Sequence, residues 1–309
     1  MTARISFVLE PIPPFRLDLT VWTLRRRPDN MIDRWDGETY RRVLIENGKP
    51  FEIAVSQFDE LEMPRLRVVV TSELAISDVK GYATLAVERL LGIHVDLMDF
   101  YSLGENIEVL RSPVNQFRGS KSPRFPTYFE TLVNAIACQH LTLTVGIRLL
   151  NRLAETCGPT IETEEGTFYG FPRPQELAKM EIEELRGMGF SYQKARYLTG
   201  LARAITGKQF NLEEIEMLDD KEAISRLCSL KGVGCWTAEY FLLRGLGRTN
   251  IFPGDDVGAR KNIQRWLNLP ANLNYNEVHQ ALMRWDGYGG LIYFHLLLKS
   301  LTEKGIGPN

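Results

Sequence analysis

Two short stretches of this 309-residue chain hold the residue types that could do chemistry. The first is Leu230-Lys231-Gly232-Val233-Gly234, whose glycines permit backbone conformations closed to other residues and clear the way for a close-approaching phosphate. Amides at such a turn, and at the start of the helix after it, can bind that phosphate, with Lys231 adding charge. The result would be a grip on a nucleic-acid backbone that is blind to base sequence, although the same five residues equally describe a helix C-cap. The second is Ile251-Phe252-Pro253-Gly254-Asp255-Asp256-Val257, which places two carboxylates where a helix begins. A carboxylate there satisfies free amides and favours the helix dipole, a sufficient account of Asp255.

Joined through Cys235-Trp236-Thr237-Ala238-Glu239-Tyr240, the stretch from Leu230 to Lys261 resembles the helix-hairpin-helix and Gly/Pro...Asp signature of DNA glycosylases. It is most similar to the 3-methyladenine DNA glycosylase II (AlkA) family. The likeness runs on over Phe129 to Gly158 and the C-terminal helices, and the N-terminal half is similar to that family's TATA-binding-protein-like domain. Asp256, twenty-two positions after Gly234, falls on the family's catalytic aspartate.

The resemblance implies a base-excision DNA repair enzyme that hydrolyses the N-glycosidic bond of alkylated bases of the 3-methyladenine type. Lys231, Gly232, Val233 and Gly234 would hold the backbone of double-stranded DNA containing the damaged base. Cleavage puts positive character on the sugar, which a carboxylate near the anomeric carbon stabilises; it can equally orient or deprotonate water, and both roles stay open. Families that also cut the strand carry a Schiff-base lysine two residues after the last hairpin glycine, where this chain has Trp236. The implied reaction is therefore monofunctional, with water as nucleophile and an abasic site as product.

Trp236, Tyr240 and Tyr288 would line the base pocket, where an electron-rich surface gains about 0.5–2 kcal/mol over a cationic alkylated base. Aromatics at such spacing are also ordinary core residues. The target base must leave the stack, and the family's wedge aligns with His140 and Leu141, although the related pattern has an apolar residue where His140 stands. A structural histidine fits as well. A second departure is Tyr288-Gly289-Gly290 in place of an aromatic followed by Arg-Ser. No cofactor or metal is expected, although hairpin carbonyls in this family can hold a monovalent cation when DNA is bound. Competing functions are a glycosylase for oxidised or deaminated bases and a non-catalytic helix-hairpin-helix DNA-binding module.

The elements that must position these residues fall into two halves. Residues 1–112 favour short strands at Ile5 to Leu9, Tyr40 to Ile45, Phe51 to Val55 and Leu66 to Val70, with a helix over Asp78 to Leu91. A Pro-, Ser- and Arg-rich run from Arg111 to Pro126 follows, and residues 113–309 show helical periods near 127–157, 174–186, 191–206, 219–229, 235–245, 256–267, 275–284 and 288–302. The fold class is α+β: an N-terminal antiparallel sheet domain, then an all-α catalytic region with its helix-hairpin-helix at 219–245. Leu185-Arg186-Gly187-Met188-Gly189 repeats the hairpin's Leu-basic-Gly-apolar-Gly pattern, and for this copy a structural turn is the expected role.

Net charge is only -2, so any DNA surface must be local. Around the hairpin Lys231, Arg244, Arg248, Arg260, Lys261 and Arg265 outweigh Glu239, Asp255 and Asp256. Arg25-Arg26-Arg27 reads as a DNA contact or a solvated charge run. Cys138, Cys157, Cys228 and Cys235 form neither a disulfide framework nor a zinc or iron-sulfur set. With no long apolar run and no signal sequence after Met1, a monomer in the cytoplasm, or the nucleus of a eukaryote, is expected.

Overall fold

A computed structural model describes residues 3–73, 76–163, 166–270 and 273–308. Met1 and Thr2, part of the opening stretch, lie outside the described residues. Strands β1 (Ala3–Leu9), β2 (Arg34–Trp35), β3 (Thr39–Glu46), β4 (Lys49–Gln57) and β5 (Leu66–Ser72) form an antiparallel sheet in the order β1-β5-β4-β3-β2. Asn47 and Gly48 join β3 to β4, both with positive φ (48° and 80°), as the tightest hairpins require. Phe51, Ile53 and Val55 of β4 and Leu66, Val68 and Val70 of β5 alternate onto one face, which is covered by α1 (Leu17–Arg25) and α2 (Ile76–Leu91).

The chain continues through α3 (Met98–Asn106) and α4 (Glu108–Gln116). The expected break after residue 112 falls inside α4, because Pro113 is helical and Leu110 and Val114 are buried. Phe100, Tyr101, Leu110 and Val114 share a core with Trp285, Leu291 and Phe294 from the C-terminal end.

The helical half comprises α5 (Tyr128–Cys138), α6 (Leu143–Cys157), α7 (Pro174–Leu177), α8 (Ile182–Gly187), α9 (Tyr192–Thr206), α10 (Asp220–Cys228), α11 (Cys235–Phe241), α12 (Val257–Trp266), α13 (Tyr275–Leu282) and α14 (Gly289–Glu303). It also holds a small hairpin, β6 (Thr160–Thr163) with β7 (Gly166–Tyr169), which the helical reading of this half missed. The helical period at 127–157 is broken between α5 and α6, where His140 takes a left-handed φ of 54° and Thr142 caps α6. Buried almost all round, α5 sits at the centre of the helical core, with Leu132, Val133 and Ile136 inaccessible.

A buried polar cluster ties sheet to helices. Arg42 of β3 pairs with Asp33 and with Glu130 of α5, and the Tyr40 hydroxyl donates to Asp33 at 2.7 Å. Burial pushes the Glu130 carboxyl up to about 7, against the pull of Arg42.

Candidate active site around Asp256

The two Leu-basic-Gly-apolar-Gly copies build different turns. In the first, Gly189 carries the positive φ (105°), Gly189 N–H donates to the Arg186 carbonyl and Phe190 N–H to that of Leu185. That is a Schellman cap closing α8. In the second the left-handed residue is Gly232 (φ 89°), and Gly234, extended at φ −102°, starts α11. A Cβ on Gly232 would lie 2.4 Å from the Tyr197 ring, so only glycine fits. Val233 is buried, while Lys231 and Gly234 face solvent.

The α5–α6 turn is bolted to this hairpin. Gln139 Nε2 donates to the Gly232 carbonyl at 2.9 Å and to Thr237 Oγ1 at 2.7 Å. Lys194 Nζ donates to the carbonyls of Ala137 and Gln139 at 2.7 and 2.6 Å. The turn thereby presents His140 and Leu141 outward, Leu141 with 41% of its surface exposed.

Asp256 stands at the N-cap of α12. Its Oδ1 accepts from Ala259 N–H at 2.8 Å, which is the cap. Its Oδ2 accepts from Trp236 Nε1 at 3.3 Å and from the Tyr293 hydroxyl at 3.2 Å. One oxygen thus serves the helix and the other faces two aromatic donors, so Asp256 is more than a cap. Burial and the nearby Asp256 hold the Tyr293 hydroxyl well above its usual pKa, which keeps it a donor. Asp255, by contrast, is exposed and pairs with Arg260.

Trp236 and Tyr240 stack one helical turn apart, with ring centroids at 5.5 Å. The Tyr240 hydroxyl accepts from Arg26 at 3.0 Å, and Arg26 also donates to Asn134 Oδ1 at 2.7 Å. Tyr288 goes elsewhere: its ring packs on Phe100 at 5.6 Å, in the C-terminal core. The glycines after it explain why. Gly290 N–H donates to the Thr249 carbonyl at 2.7 Å, and a Cβ there would meet Leu243 at 2.5 Å. This close approach sets α14 so that Tyr293, deeper along the helix, reaches Asp256.

The local positive charge is smaller than the count of six suggests. Arg244 is fully buried, donating to the Thr23 carbonyl and lying over Phe125, Tyr240 and Phe294, and Arg248 is held by Asp220 and the Glu216 and Leu218 carbonyls. Of Arg25-Arg26-Arg27, the first two are 95% buried, so the run is neither a solvated nor a DNA-facing patch. Arg26 turns inward because it caps α1 in a left-handed conformation (φ 60°).

Sequence reasoning missed Tyr293, Gln139 and Arg26 as members of this site. A tyrosine inside the apolar run Leu291 to Leu298 needs a hydroxyl partner once buried, which was the available signal for Tyr293. Gln139 and Arg26 act across long sequence separations that leave no local pattern.

Residues 133–286 match the model of the HhH-GPD superfamily base excision DNA repair proteins. A DNA-3-methyladenine glycosylase 1 of Schizosaccharomyces pombe is 32% identical over 169 residues, 54% of this chain and 70% of that one. The chain belongs to the HhH-GPD superfamily. A DNA-3-methyladenine glycosylase of Bacillus subtilis is 26% identical over 201 residues, covering 65% of this chain and 66% of that protein's length. The solved 3-methyladenine DNA-glycosylase of Archaeoglobus fulgidus superposes with a TM-score of 0.81 at 26% identity, over 94% of this chain and 97% of that one. The superfamily match takes in the α5–α6 turn, the hairpin and Asp256, whereas Arg26, Tyr288 and Tyr293 lie outside it. No helix among the described residues is long and apolar enough to cross a membrane.

Proposed function

We propose that the protein removes alkylated bases from double-stranded DNA by hydrolysing the N-glycosidic bond, with Asp256 as the catalytic carboxylate and water as nucleophile. The observation that carries this reading is the Asp256 carboxylate, held with one oxygen capping α12 and the other against Trp236 and Tyr293. The hairpin at Lys231 to Gly234 holds the DNA backbone, and His140 with Leu141 fills the gap left by the flipped nucleotide. Trp236, with Tyr240 behind it, offers a π face to a cationic base, and such a base is already an activated leaving group.

As charge builds on the sugar, the fixed carboxylate stabilises it and orients the attacking water. Tryptophan at 236 offers no amine for a Schiff base. Two carbonyls of the turn already accept hydrogen bonds, Leu230 from Val233 N–H and Gly232 from Gln139. A monovalent cation bound there with DNA would take the neighbouring carbonyls and add charge against the phosphate.

A release assay over methylated, deaminated and oxidised duplexes tests the reading. The expected outcome is free 3-methyladenine from methylated DNA, with strands nicked only after alkali. A DNA complex trapped covalently by borohydride would contradict the monofunctional mechanism, and a blank panel would leave a DNA-binding module.

A further inference from the structure

The aspartate's turn is fastened from behind by groups that take no part in the mechanism above. Pro253 to Asp256 form a tight turn closed by Asp256 N–H donating to the Pro253 carbonyl at 3.0 Å. Within it, Gly254 N–H donates to Glu239 Oε2 at 3.2 Å. The other oxygen of Glu239 accepts from the Tyr275 hydroxyl at 2.5 Å and lies 3.7 Å from His279 Nε2. Glu239 itself is 98% buried. Tyr275 and His279, one turn apart on α13, stack at 4.3 Å and close over Gly254, where a Cβ would sit 2.8 Å from either side chain.

A buried carboxyl group is costly unless its oxygens are satisfied, and here both are. The residue also shares α11 with Trp236, three positions earlier. Fastening Gly254 to that helix fixes the distance between the aspartate's turn and the indole that meets it.

We propose that Glu239 is a positioning residue for Asp256: through the Gly254 amide it locks the Pro253–Asp256 turn to the helix that carries Trp236. This inference rests on Asp256 being the catalytic carboxylate. The geometric requirement is strict, since a misplacement of about 1 Å in a catalytic group can cost on the order of 100-fold in rate.

The test compares Glu239→Leu, which keeps volume but loses both acceptors, with Glu239→Gln, whose amide oxygen still accepts from Gly254. Single-turnover base release from a methylated duplex at saturating protein is measured beside affinity for a duplex carrying a stable abasic-site analogue, with thermal melting as a fold check. The Leu variant is expected to release base about 10- to 100-fold more slowly, with affinity within about threefold of the parent, and the Gln variant to recover most of the rate. A Leu variant at the parental rate, a Gln variant as slow as Leu, or rate and affinity falling together would each overturn the proposal. Should the Leu variant not fold, Tyr275→Phe, which frees the second oxygen, is expected to slow release about threefold, and an unchanged rate in that folded variant overturns it. Absence of release by the parent protein overturns the glycosylase reading itself, whereas normal release by both parent and Leu variant overturns only the positioning role.

Discussion

At the residue scale, the chemistry is concentrated in how one carboxylate divides its two oxygens. A helix cap needs a single acceptor, and Ala259 N–H takes it. The second oxygen is left for Trp236 and Tyr293, and these donors fix its orientation without neutralising it. Removing the hydroxyl with Tyr293→Phe leaves the ring packed on Phe252 and costs one charge-assisted hydrogen bond. Single-turnover base release is expected to fall about tenfold, with DNA affinity unchanged, in keeping with a bond of roughly 1.5 kcal/mol. Asp256 and Trp236 were legible in the sequence because they lie at fixed spacing from the hairpin glycines. Tyr293 was not, since it stands five positions after Tyr288, the tyrosine the resemblance pointed to, and only the packing of Gly289 and Gly290 against residues 249–252 decides which one reaches the pocket.

At the element scale, a repeated pattern does not guarantee a repeated turn. Leu185 to Gly189 and Leu230 to Gly234 share residue types, yet the left-handed glycine is the last in one and the middle in the other. The difference comes from what each turn packs against: the first closes α8 and takes the Arg152 guanidinium on its Met188 carbonyl, while the second must clear Tyr197 and receive Gln139 on its Gly232 carbonyl. Gly232→Ala is therefore expected to lower stability by about 1–3 kcal/mol and to weaken binding of undamaged duplex DNA. Gly187→Ala, at a helical position with open space and no positive φ, should leave binding unchanged and raise stability by up to about 1 kcal/mol. Thermal melting and fluorescence anisotropy at two salt concentrations check the pair. Helix positions in the C-terminal half followed from their 3.6-residue periodicity; that periodicity runs on through the break at His140, which only the resemblance, with its wedge loop there, marked. The β6–β7 hairpin escaped because its strands are only four residues each.

At the scale of the whole molecule, the N-terminal half is part of the site's foundation. Arg42 binds the sheet to α5 through Glu130, and Arg26 reaches the hydroxyl of Tyr240 from the end of α1. The α+β division was readable from where strands and helices cluster. The interlock was not, because buried arginines in the N-terminal half look like surface charge until their partners are known. Acid sensitivity belongs to this scale too. His295 of α14 is buried against Phe100 and Phe117, and burial lowers its pKa from 6.5 to about 4. The unfolded chain then binds a proton that the folded one refuses, so stability is full above about pH 6.5 and falls as pH drops toward 4, by on the order of 3 kcal/mol. The stability curve of His295→Gln should lack that acid slope, so that its difference from the parent's curve isolates the histidine's contribution. The most direct test of the central claim is base release by Asp256→Asn, measured in single turnover on methylated duplex DNA beside its affinity for the same duplex. Release should be lost while binding persists; release at the parental rate would contradict the assignment of the chemistry to Asp256.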